Sequence, residues 1–164
     1  MEYIKIGKIV NTHGIKGEIR LLSNFKYKEK VFVKDVDIYI GKEKIKETIN
    51  SYRHHKQFEM ITLKGITNIN DVLKYKGKSV YINRSDLVLG DDEYLDEDLI
   101  GLDVIMNDKV VGKVSRIEKD RYQDKIVVNK GDIFYLVPYV CDIISSINLK
   151  EGTITLQYIK GLLD

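Results

Sequence analysis

His13, Lys16 and Arg20 fall within ten residues, NTHGIKGEIR, together with Gly14 and Gly17. A His, two cations and two glycines at this density allow three kinds of chemistry: a loop that cradles phosphate, a catalytic imidazole, or a tight turn whose job is geometric. The spacing Gly14-x-x-Gly17 matches a clamp that lets a nucleic-acid backbone approach closely in some RNA-binding folds. That clamp joins two helices, whereas YIKIGKIV before it and EIRLLS after it alternate like strands. The glycines are therefore expected to serve a turn between strands, where Gly reaches φ values closed to other residues. His13 as a general base would need a reacting partner and an orienting carboxylate. Only Thr12 and Glu18 lie nearby in sequence, so a hydrogen bond bracing the turn is the expected role, with RNA contact by His13, Lys16 and Arg20 as the alternative.

A second group, RHHKQ, sets Arg53, His54, His55 and Lys56 side by side. A metal site would need further ligands, and this half of the chain has no Cys. The expectation is a polar loop between strands, with RNA contact as its rival. A third group is the acidic run DDEYLDEDLIG, residues 91–101, which lacks the Gly and Glu positions of a calcium loop. Tyr94 and Leu95 sit inside it, followed by Asp98, Leu99, Ile100 and Gly101. Acids flanking apolar side chains suit a surface that meets a basic protein, the charges steering encounter and the apolar groups anchoring it. The plainer alternative is a solvated linker whose LIG opens a core strand. The single Cys141 excludes an internal disulfide, and its neighbours in LVPYVCDII lead us to expect a buried, inert thiol.

The elements that must position these groups are mostly strands. YIKIGKIV, GEIRLLS, DVDIYIG, ETINSY, FEMITLKG and SVYINR alternate or are rich in β-branched and aromatic residues. One short helix is expected where Asn68 or Asn70 caps DVLKY and Gly77 ends it. Six strands with one small helix imply a closed antiparallel barrel. The second half carries three hairpin signals: GLDVIM to KVVGKVSRIE across Asn107-Asp108, DKIVV to IFYLVP, and SINL to TITLQY across Lys150-Glu151-Gly152. They imply a second, smaller barrel. The expected division is all-β, with a barrel over residues 1–85, an extended acidic linker over 86–96 and a second barrel over 97–164.

Composition narrows the function classes. Of 164 residues, 43% are apolar and 32% charged, the balance of a globular chain. No apolar run is long enough to span a bilayer, and MEYIKIGKIV lacks the layout of a signal peptide, so a cytoplasmic location and no membrane partner are expected. The net charge of +2 conceals an asymmetry. Residues 1–86 carry 18 Lys and Arg against 10 Asp and Glu, whereas residues 87–164 carry 9 against 15. The first half suits phosphate and the second suits a cationic partner.

The opening IGKIVNTHGIKGEIRL resembles the signature start of the bacterial RimM family of ribosome maturation factors. DEDLIG resembles that family's entry into its PRC-barrel, and QDKIVV, LVPYV and the terminal GLLD follow in the family's order. The resemblance implies a non-enzymatic assembly factor: a six-stranded antiparallel barrel similar to the β-barrel domain of translation factors, then a PRC β-barrel. It implies action on the immature small ribosomal subunit and its rRNA, in maturation of the subunit's head, through the small-subunit ribosomal protein numbered nineteen. No cofactor and no metal are implied, and a monomer is expected. The family's tyrosine pair tied to that protein contact falls on Tyr94 and Leu95. Leu95 lacks the ring and hydroxyl, and Asp96 stands where the family commonly carries Trp. Two other classes remain: an rRNA-processing or rRNA-modifying enzyme, which needs a convergent acid, base or nucleophile, and a general RNA-binding module, which would be cationic in both halves.

Overall fold

The computed structural model describes residues 1–161. The chain divides into two units, Met1–Leu89 and a second that begins at Gly90. In the first, β1 (Tyr3–His13), β2 (Glu18–Leu22), β3 (Asp37–Ile40), β4 (Ile45–His55), β5 (Phe58–Leu63) and β6 (Ser79–Asn83) close into a barrel in the order β1-β2-β5-β4-β3-β6. Every pairing in it is antiparallel. Each of the six alternating stretches holds one of these strands. Alternation is the cause: β2 buries Ile19 and Leu21, and β6 buries Val80 and Ile82, while the residues between them stay partly exposed. Ile38, Ile40, Ile61 and Leu63 complete an interior at most 1% exposed, each side chain contributing about 1.5–3 kcal/mol by leaving water.

Residues 68–77, expected as one short helix, form two 3₁₀ turns instead, Ile69–Asp71 and Leu73–Tyr75. The side chain of Asn68 does cap the first, accepting from Asn70 N at 2.8 Å. The bonds then run three residues apart, Val72 N to Ile69 O at 3.0 Å and Tyr75 N to Val72 O at 3.0 Å. Few residues are available, and Val72 and Tyr75 must both turn inward, to 0% and 1% exposure. The tighter 3₁₀ repeat of three aligns those two positions. A four-residue helix, α1 (Lys28–Val31), carries no sequence periodicity because it is about one turn long.

The second unit holds β7 (Asp103–Met106), β8 (Lys109–Glu118), β9 (Lys125–Lys130), β10 (Ile133–Pro138), β11 (Ile144–Asn148) and β12 (Thr153–Leu156) in one sheet, ordered β10-β9-β8-β7-β12-β11. β7 and β12 pair in parallel, and the other neighbours are antiparallel. The β7–β8 turn is the one its sequence demands, with Asn107 at φ 53° and Asp108 at φ 63°. One core, with Leu99, Val104, Val114, Ile126, Val128 and Ile154 among its members, lies against this sheet.

The expectation of a buried thiol fails. Cys141 is exposed. β10 stops at Pro138, Val140 N returns to Pro138 O at 3.0 Å and Ile143 N to Val140 O at 3.1 Å, so the chain turns and places Cys141 on its outer side. The acidic stretch is also less extended than its charge implies. Gly90 N donates to Glu93 Oε1 at 2.8 Å, residues 91 and 92 form a turn, and Asp96–Leu99 wind into a 3₁₀ turn. Leu87, Leu95 and Leu99 are exposed by only 5%, 5% and 0%, so apolar burial overrides charge repulsion here. The terminal GLLD runs into residues 162–164, outside the described residues.

Candidate nucleic-acid and protein interfaces

The β1–β2 turn is built on Gly14 at φ 71° and Gly17 at φ 91°, where an L side chain is strained. Ile69 N donates to Ile15 O at 3.0 Å, which fastens the turn to the start of the first 3₁₀ turn. At the turn's base, Arg20 Nη2 lies 2.8 Å from His13 Nδ1. A guanidinium can only donate, so Nδ1 accepts and the ring proton of neutral His13 sits on Nε2. The lone pair that a general base would use at Nδ1 is thereby occupied.

Because β2 pairs with β5, and β5 with β4, this turn lies on the same sheet surface as the β4–β5 hairpin. Arg53 grips Glu18 with two bonds, Nη2 to Oε1 at 2.7 Å and Nε to Oε2 at 2.9 Å. The hydrogen bond from Arg53 lowers the Glu18 pKa against a desolvation that raises it, and the charges of Arg53, His13 and His55 lower it further. Arg20 lies over the Phe58 ring, 4.9 Å from its centroid. Lys16 and Lys56 are exposed at the two hairpin tips. Arg53, His13 and His55 thus gather around one carboxylate, with Arg20 beside His13 and Lys16 and Lys56 at the adjoining tips, a surface that can meet phosphate groups.

RHHKQ is not a loop. Arg53, His54 and His55 belong to β4, and only Lys56 and Gln57 turn. Strand alternation therefore separates the two histidines. His54 lies on the face opposite Arg53 and, while itself exposed, holds its Nδ1 2.9 Å from Glu59 Oε1. Glu59 is the residue that sequence reasoning missed: a carboxylate 1% exposed, accepting also from Tyr52 OH at 2.7 Å. Lys28 Nζ stands 3.9 Å from its other oxygen. Burial and then this bond push the Tyr52 hydroxyl up to about 12. The signal was present in FEMITL, whose alternation puts Glu59 on the same face as Ile61 and Leu63.

In the second unit, the protein-facing segment needs correction. Leu95 and Leu99 are only 5% and 0% exposed, Leu99 within the second unit's core, so neither offers accessible anchor area. Asp98 Oδ2 accepts from Leu95 N at 2.9 Å and so holds the 3₁₀ turn. Tyr94 packs against the core while partly exposed. Its hydroxyl bonds with that of Tyr139, whose pKa is raised far above the usual phenol range by burial first and then by Tyr94 and Asp96. Asp96 is paired with Lys119, which also reaches Asp124 at 3.1 Å. Only Ile100, at 52%, and Gly101 present themselves openly, beside the exposed acids Asp91, Asp92 and Glu97. Among the described residues, no cluster of His, Cys, Asp or Glu could hold a metal.

Comparison with known proteins agrees with this two-unit architecture. Residues 4–87 match the RimM N-terminal domain and residues 96–162 the RimM PRC barrel domain. The ribosome maturation factor RimM of Staphylococcus haemolyticus is 39% identical over 98% of this chain and 99% of its own length. That of Staphylococcus saprophyticus is 40% identical with the same coverage, and that of Exiguobacterium sibiricum 34% identical over 100% of this chain and 99% of its own. With both domain matches in order and relatives alike from end to end, the chain belongs to the RimM family of ribosome maturation factors.

Proposed function

We propose that this protein is a non-enzymatic, monomeric, cytoplasmic factor that assists assembly of the small ribosomal subunit's head and processing of its rRNA. Unit 1 engages rRNA, and unit 2 engages the small-subunit ribosomal protein numbered nineteen. The observation that carries this reading is the coincidence of the charge division with the domain division. Leu87, Val88 and Leu89 are uncharged, so cutting at the unit boundary leaves 18 cations against 10 acids in unit 1 and 9 against 15 in unit 2. A neutral total with two opposite halves suits a bridge between phosphate and a basic protein. The contacts around His13 support the same reading over an enzyme, since its Nδ1 lone pair is already used by Arg20.

The test measures both partners on the full chain. If unit 1 neutralises about three phosphates, affinity for a small-subunit rRNA fragment falls roughly 20- to 40-fold between 50 and 200 mM salt. Lys16→Glu with Lys56→Glu weakens RNA binding and flattens that slope while leaving capture of the ribosomal protein intact. Asp91→Asn, Asp92→Asn and Glu97→Gln together slow association with the ribosomal protein and leave RNA binding unchanged. RNA affinity that is flat with salt would remove the assignment of unit 1.

A further inference from the structure

β10 is an edge strand of unusual composition. It lies at one end of the second unit's sheet and pairs only with β9 among the described residues. Its six residues, IFYLVP, carry no charge, and Ile133, Phe134 and Leu136 are 56%, 57% and 52% exposed. Phe134 and Leu136 share one face by alternation, while Val137 on the other face is fully buried. The opposite edge of the same sheet is built differently: β11 turns Ser145, Ser146 and Asn148 to solvent and carries a register shift between Ile144 and Ser146. Soluble proteins blunt their edges with charges, bulges or polar residues, because an edge presents unpaired N–H and C=O groups to any strand that arrives. β11 is blunted in this way. β10 has only the terminal Pro138.

We infer that β10 is a docking edge on which an extended, basic segment of a partner polypeptide adds as a further strand. Main-chain bonds to the open edge would supply affinity, and apolar side chains at alternate positions would cover Phe134 and Leu136. The charge of the unit selects the occupant. Its surplus of acids over cations favours a basic chain, whereas a second copy of this protein would bring the same surplus against it. The inference rests on the proposed protein-binding role of unit 2 and supplies what the burial of Leu95 and Leu99 leaves open, an accessible apolar anchor.

The probe is a ten-residue synthetic peptide alternating Val and Lys, with an equally charged control carrying Pro at alternate positions. Both are offered to the full-length protein and to its Phe134→Lys/Leu136→Lys variant. Both replaced side chains are largely exposed, and a thermal melt checks that the variant folds. Expected are binding of the first peptide and not the second, slowed amide hydrogen exchange within β10, and a loss of affinity of at least about tenfold in the variant, as for a removed anchor at a strand-addition site. Equal binding of the two peptides, unchanged exchange in β10, or undiminished affinity in the variant overturns the inference. So does a wild-type dimer that the two lysines dissociate, because a second copy would then hold the edge. Purified small-subunit ribosomal proteins separate the levels of failure. If wild type and variant capture the same basic protein equally, the edge is wrong and the proposed function stands. If neither captures any, the protein-binding reading falls and the inference with it.

Discussion

Glu18 shows how a single acid can serve a cationic surface. Held by two bonds from Arg53, it fixes that guanidinium in place and spaces His13 and His55 around itself. Its pKa is lowered, first by the Arg53 hydrogen bond, so the pair's contribution is fully present above the unfolded carboxylate's pKa. That contribution fades as pH falls through the folded value. Arg53→Met is accordingly expected to lower stability at neutral pH by the small amount typical of an exposed ion pair. The difference from wild type should vanish in acid, below the folded Glu18 pKa. Denaturant titrations of the two proteins across that range check it, together with an NMR titration in which the Glu18 carboxyl moves upward in the variant. Arg53 and Glu18 were both visible in the sequence, but their pairing was not, since it joins residues 35 apart across a strand that local spacing does not reveal.

Elements were more legible than residues. All six barrel strands and the three C-terminal hairpins follow from alternation and turn chemistry, which act within a few residues. Two of the failures share one cause, tertiary burial overriding a local signal. DVLKY carries helical spacing, yet Val72 and Tyr75 must both face inward, and two 3₁₀ turns result. The acids around Leu95 favour an extended linker, yet Leu95 and Leu99 must reach a core. RHHKQ is polar enough for a loop, yet β4 continues through it. The parallel pairing of β7 with β12 had no sequence signal, because it joins strands about 50 residues apart. The β1–β2 turn allows a sharp test of element geometry. At Gly14 an added Cβ meets nothing within 4 Å, whereas at Gly17 it meets Asn68 O at 3.3 Å with φ already at 91°. Gly14→Ala should therefore cost about 1 kcal/mol for the left-handed backbone alone, and Gly17→Ala about twice that. Urea midpoints of the two variants measure the difference, and equal costs would mean that the loop at Asn68 does not brace the turn.

At the scale of the whole molecule, two independent folds carry opposite charge, and the cut between them falls at an uncharged tripeptide. The asymmetry was readable from composition, and the family from the motifs IGKIVNTHGIKGEIRL and DEDLIG that carry the resemblance. What composition could not supply was which side chains remain available: the structure withdraws Leu95 and Leu99, ties His54 to Glu59 and leaves Lys16, Lys56, Ile100 and β10 on the surface. The most direct measurement is hydrogen exchange of the full chain on an immature small subunit, before and after ribonuclease treatment. Slowed exchange is expected in both units, at the β1–β2 and β4–β5 turns and in the second unit's sheet. Digestion should release the turns of unit 1 while protection in unit 2 persists on the remaining protein. Release of both units together, or protection confined to one of them, would show that the two halves do not hold separate partners.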